Sequence, residues 1–139
     1  MRGEACAVAD IMLSEDGDIV LDDVGDIMLA EGAEYVIQSV RNRLKSVTVD
    51  WFYDHIGADL IDFLGYPNSR ETADAITERI VSTLTGDGLL SRNDVFVKAV
   101  PIDSVTLNVF VFVKTADMWN PVGFKVDLNL NSGATVTQV

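Results

Sequence analysis

The stretch Asp10-Ile11-Met12-Leu13-Ser14-Glu15-Asp16-Gly17-Asp18-Ile19-Val20-Leu21-Asp22-Asp23-Val24-Gly25-Asp26-Ile27-Met28-Leu29 decides how the fold begins. An acid followed by Ile-Met-Leu or Ile-Val-Leu occurs in it three times. Each copy is too short for a helix and is bounded by Gly and Asp, so it reads as a short strand in a tight meander. The chain therefore opens with β-structure.

Residues 35–47 carry Val36, Val40, Leu44 and Val47 at steps of four, four and three, one apolar stripe on a helix. Arg41, Arg43 and Lys45 lie near its C-terminal end, where positive charge suits the helix dipole. Trp51-Phe52-Tyr53 and Gly57 then read as a loop, and Leu60, Phe63 and Leu64 as a short helix ending at Gly65. In Pro67-Asn68-Ser69-Arg70-Glu71, Asn68 is expected to cap a helix, with Glu71 reaching back as in a capping box. Ala73, Ile76, Ile80 and Leu84 share one face of that helix, and Thr85-Gly86-Asp87-Gly88 ends it.

From Val95 the period changes to two. Val105, Leu107, Val109, Val111 and Val113 alternate with Thr106, Asn108, Phe110, Phe112 and Lys114. Phe124, Val126, Leu128 and Leu130 alternate with Lys125, Asp127, Asn129 and Asn131. Such strands are half-buried, with one face on a helical layer. Strands, then helices, then strands give α+β: a short N-terminal β-meander, two main helices plus a short one, and a C-terminal three-stranded, mostly antiparallel sheet.

A chain of 139 residues can build a core without staples, and no linker divides it, so one domain is expected over residues 1–139. Within it residues 1–9 read as a loose N-terminus, 10–131 as the folded body and 132–139 as a tail. Nothing approaches the roughly 18 consecutive apolar residues of a membrane span, and Met1-Arg2-Gly3-Glu4-Ala5-Cys6-Ala7 has no apolar signal-peptide core. Cys6 is the only cysteine, which suits a reducing compartment.

The net charge of −12 is uneven: residues 1–34 hold ten acids and one base, residues 35–139 twelve acids and nine bases. No basic stripe is available to neutralise phosphates, so nucleic acid is not an expected partner, and neither is a membrane. The N-terminal acids leave a basic partner or a bound cation open but read first as solvated hairpin tips, and Asp16, Asp18, Asp22 and Asp23 miss EF-hand spacing. His55 is the only histidine, so a zinc or iron site is not expected, and no serine sits in a Gly-x-Ser-x-Gly elbow. Gly86-Asp87-Gly88 comes after a helix and does not open one, which is no phosphate loop. No cofactor is expected. Twenty-two acids will supply carboxylate pairs by chance, so a glycosidase pair carries no specific signal. Trp51-Phe52-Tyr53 reads as core and rim before it reads as a sugar platform.

Read in order, Gly25-Asp26-Ile27-Met28-Leu29, Glu31-Gly32-Ala33-Glu34, Gln38 with Arg43-Leu44, and Tyr53-Asp54-His55-Ile56-Gly57-Ala58-Asp59-Leu60 resemble one family. It is the baseplate wedge or sheath-initiator family of contractile phage tails and related injection machines, which includes phage baseplate assembly protein W. The resemblance covers about residues 10–130 and implies a Gly-Asp strand, a Glu-x-x-x-Gln helix, an aromatic-rich turn, a long helix and closing strands. Many members carry Glu-Pro-Arg after the long helix, docked on a helical bundle of other wedge subunits. Here that place reads Leu90-Ser91-Arg92-Asn93-Asp94, so only Arg92 is carried over as a docking residue.

The resemblance also implies partners: other wedge subunits, the tail sheath protein, and tube or hub proteins, in a virion baseplate assembled in the host cytoplasm. Arms of sheath subunits are expected to add as strands to this sheet, which makes Phe124, Val126, Leu128 and Leu130, with Thr135, Val136 and Thr137 of the tail, the expected contact residues. Deleting residues 132–139 is then expected to leave a folded protein that cannot start a sheath. Some relatives carry a lysozyme-like label, so two classes stay open, a structural initiator without catalysis and a muramidase using paired acids, beside the blander option of a small oligomeric module unrelated to tails.

Overall fold

The computed structural model describes residues 9–47, 57–115 and 118–139. Cys6, the aromatic trio Trp51-Phe52-Tyr53, read as core and rim, and His55, read as no metal ligand, lie outside the described residues. The chain divides into two compact units, Met1–Val40 and Arg41–Val139.

In the first unit the three copies form a closed set. They repeat every eight residues, Asp10, Asp18 and Asp26 each opening one. Strand β1 (Ala9–Ile11) pairs antiparallel with β2 (Leu29–Glu31), setting Ile11 opposite Leu29. Single bridges set Leu13 opposite Ile19 and Leu21 opposite Ile27. The central residues complete a cycle: Met12 N–H donates to Met28 O at 2.9 Å, Met28 N–H to Val20 O at 3.0 Å, and Val20 N–H to Met12 O at 3.1 Å. The meander is thus a three-sided ring with each copy bonded to both others. Its corners turn at Gly17 and Gly25, whose φ of +95° and +89° suit glycine alone. Ser14 Oγ accepts from Asp18 N–H at the first corner, and Asp22 Oδ1 from Val24 N–H and Asp26 N–H at the second.

Helix α1 (Ala33–Lys45) comes next, two residues earlier at each end than its apolar stripe suggests. Its Gln38 is buried and pins the ring: Gln38 Oε1 accepts from Leu13 N–H and Gln38 Nε2 donates to Ile11 O, both at 2.8 Å.

In the second unit the short helix is a 3-10 turn (Leu60–Phe63) that stops before Gly65, at φ +88°. Helix α2 (Arg70–Thr85) is capped by Ser69, whose Oγ accepts from Thr72 N–H, and not by Asn68. Asn68 instead donates from Nδ2 to the carbonyls of Asp103 and Thr106, so its amide ties the helix start to the strand turn. Strands β3 (Val95–Pro101), β4 (Thr106–Val113), β5 (Val122–Asn129) and β6 (Gly133–Gln138) form one antiparallel sheet in the order β3-β4-β5-β6. The α+β class is as expected, and the tail adds a fourth strand to the sheet: residues 133–138 turn back at Asn131-Ser132 and pair with β5.

Leu107, Val109, Val111 and Val113 of β4 sit opposite Leu128, Val126, Phe124 and Val122 of β5. All but Val122 are fully buried, as are Ile76, Ile80 and Leu84 of α2, which packs beside β3. Burying that aliphatic face is the main stabilising term of this unit, at about 25 cal/mol per Å² removed from water.

Candidate functional site

The residues expected to meet the sheath fall in two groups. Phe124, Val126, Leu128 and Leu130 are buried, and β5 has strands on both sides. They are core, because alternation identifies an apolar face without telling which strand is last in the sheet. Thr135, Val136 and Thr137 lie on β6, which is last among the described strands.

The ladder fixes which groups β6 leaves open. Val139 N–H donates to Gly123 O at 2.9 Å. Antiparallel bonds recur at alternate pairs, so Thr137 bonds Lys125 and Thr135 bonds Asp127. Ala134, Val136 and Gln138 then turn their N–H and C=O groups away from the sheet. Beside that edge runs a groove of about 240 Å³, lined by Leu44, Lys45, Ser46, Val47, Leu60, Ile61, Ala134 and Val136. Backbone donors and acceptors thus border a trough that is aliphatic except for Lys45 and Ser46, and the six residues of β6 include neither a charge nor a proline. Natural edges are usually blunted by one or the other. The opposite edge is blunted in that way, since β3 carries Lys98 and ends at Pro101, which has no N–H.

The groove wall is held by a residue that composition does not reveal. Arg43 is buried at the end of α1, with Nη1 donating to Thr83 O and Asp87 Oδ1 at 2.8 Å each and Nη2 to Asp87 Oδ2 at 2.7 Å. The carbonyl of Arg43 accepts from Ala58 N–H at 2.9 Å. The guanidinium beside Asp87 holds that carboxyl below the usual carboxylate range, against a smaller opposing effect of burial. Arg41 Nη2 donates to Gln138 Oε1 at 3.0 Å, joining α1 to the end of β6.

Arg92 lies elsewhere, on the 3-10 turn Arg92–Asp94, exposed and paired with exposed Glu78 at 3.1 Å. It is not among the residues lining the β6 groove. Among the described residues no group of three or more His, Cys, Asp or Glu side chains could hold a metal ion.

A family model described as contractile injection system sheath initiator matches residues 9–118, from β1 through β4 and the turn after it. No curated protein and no solved structure matches the chain.

Proposed function

Because the chain belongs to the contractile injection system sheath initiators, a family of the tail baseplate, we propose that it starts the sheath by accepting a strand of the sheath protein along the outer edge of β6. The observation that carries this reading is the run of outward backbone groups at Ala134, Val136 and Gln138 beside the groove of Leu44, Val47, Leu60 and Ile61. An added strand takes affinity from backbone hydrogen bonds and register from its alternate side chains. Side chains on the Val136 face enter the groove, and those on the Thr135 and Thr137 face lie beside Lys125 and Asp127.

Arg92 serves a different contact in this reading. Exchanging Glu78 for a partner carboxylate or carbonyl costs little, since both side chains of the present pair are exposed. A wedge subunit is the partner proposed for it. The role is assembly without turnover, in a baseplate built inside the host before release.

The test is tail assembly with an edge-blocked variant. Tails carrying Val136→Pro should contain the protein and lack sheath, and full-length sheath on them would refute the acceptor role.

A further inference from the structure

The three-sided ring offers a second surface. Ile and Leu two residues apart in each copy project to the same side of their strand. Ile11 faces Leu29, Leu13 faces Ile19, and Leu21 faces Ile27 across the ring. Directly opposed residues share a face, so all six aliphatic side chains lie on one side of the ring. Five of them, Ile11, Ile19, Leu21, Ile27 and Leu29, are 42–54% exposed, and nearby Val24 is 81% exposed. Scattered exposed aliphatics are ordinary, whereas six set on one face by a closed backbone cycle form a patch of the kind that marks an interface.

The charge around the patch restricts what can cover it. Residues 9–40 contain nine acids and neither Lys nor Arg. Asp18 and Asp26 directly precede Ile19 and Ile27 and so alternate to the other side of the ring, whereas Glu31, two residues after Leu29 on β2, shares the side of the patch and is exposed. Like charges at this density repel one another and any acidic partner, and they draw in a basic one. We propose that this ring is a docking face for a protein surface that presents aliphatic side chains within a border of Lys and Arg. Burial of the ring's aliphatics supplies affinity, and neutralisation of the acid border supplies selectivity and encounter rate. The inference rests on family membership for the place where the protein works, and is independent of the β6 edge.

The experiment uses the full chain in assembled tails. A photoreactive amino acid replaces Ile27, or Leu21 in a second variant, both exposed and neither part of the central hydrogen-bond cycle. Irradiated tails should give an adduct with one other tail polypeptide, and the joined peptide should carry aliphatic residues flanked by Lys or Arg. Glu31→Lys should lower the adduct yield about tenfold, and changing the partner's basic residues to Glu should restore it. The proposal is overturned by tails that contain the protein without an adduct from either position. An adduct to an acidic peptide or to a second copy overturns it, as does a yield indifferent to Glu31→Lys. Sheath length on the same tails separates the two ideas: failure of the β6 edge gives bare tubes with the adduct intact, and failure of the ring gives sheathed tails without one.

Discussion

Proline placed at two adjacent positions of β6 separates the strand's inward role from its outward one. Val136 directs its N–H away from β5, so Val136→Pro leaves the β5–β6 ladder intact. The fixed φ of proline is tolerated on an edge strand, and the cost to folding should stay within about 1 kcal/mol. For an incoming strand the change removes one donor, and the ring occupies the place of the approaching carbonyl. Losing that donor and its reciprocal bond is worth about 1–3 kcal/mol at roughly 1 kcal/mol net per hydrogen bond. That is about a five- to hundredfold weaker arm at 1.4 kcal/mol per factor of ten. Thr135→Pro does the reverse: it removes the bond to Asp127 O and leaves that carbonyl without its partner, costing the fold about 1–3 kcal/mol. Thermal melting should therefore rank the wild type and Val136→Pro close together, with Thr135→Pro lower by about 3–8 °C. Negative-stain microscopy of tails should show Val136→Pro on baseplates without sheath. If Val136→Pro builds sheath of normal length, or melts lower than Thr135→Pro, the assignment of outward groups is wrong.

Asp87→Asn should destabilise the isolated protein by about 1–2 kcal/mol at pH 7, discounted because the Asp87 side chain is partly exposed while Arg43 is buried. The folded pKa of Asp87 lies below its ordinary value of 3.8, so its contribution is full above that value and is lost as pH falls through the folded pKa. The gap between wild type and mutant in denaturant midpoint should accordingly close below about pH 4. Arg92→Ala should leave the melting temperature within about 2 °C and lower incorporation into baseplates, measured by quantitative blotting of purified tails; wild-type incorporation would remove Arg92 from the interface. Purified protein should release no soluble fragments from peptidoglycan between about pH 4 and 8, where a carboxylate pair would operate, and turnover abolished by one Asp→Asn or Glu→Gln change would establish an enzyme. Deleting residues 132–139 now tests less than the tail reading supposed, because it removes β6 and uncovers β5; poor folding of that truncation is expected, seen as a broadened melt.

The α+β order was legible because period and length decide it. Residues 105–113 and 124–130 alternate cleanly, and the stripe of Ala73, Ile76, Ile80 and Leu84 has no reading but a helix. The acid-Ile-x-Leu copies were legible as strands, but their closure into a ring was not. Periodicity describes faces, whereas closure depends on which backbone groups meet. Asn68 and Ser69 are both good caps, and only the placement of Asp103 and Thr106 draws Asn68 away. Arg43 looked like a charge suited to a helix end, since nothing in sequence brings Thr83 and Asp87 to it. The tail residues Thr135, Val136 and Thr137 were legible as contact candidates, but not as the outermost strand of the sheet: residues 124–130 have the stronger alternation, yet the weaker segment after Gly133 takes the outside position.

If β6 accepts a strand as proposed, an edge that opens at Ala134, Val136 and Gln138 would also act as a ruler. A strand docked there can slip by two residues, about 7 Å at 3.4 Å per residue, because a slip of one would turn every groove-facing side chain to the other side. Misplacement therefore comes in widely spaced steps instead of a continuous drift. The height of the first layer laid on such an edge is read in whole divisions, and any error in it would appear as a separate population of tails, offset by one division along the axis.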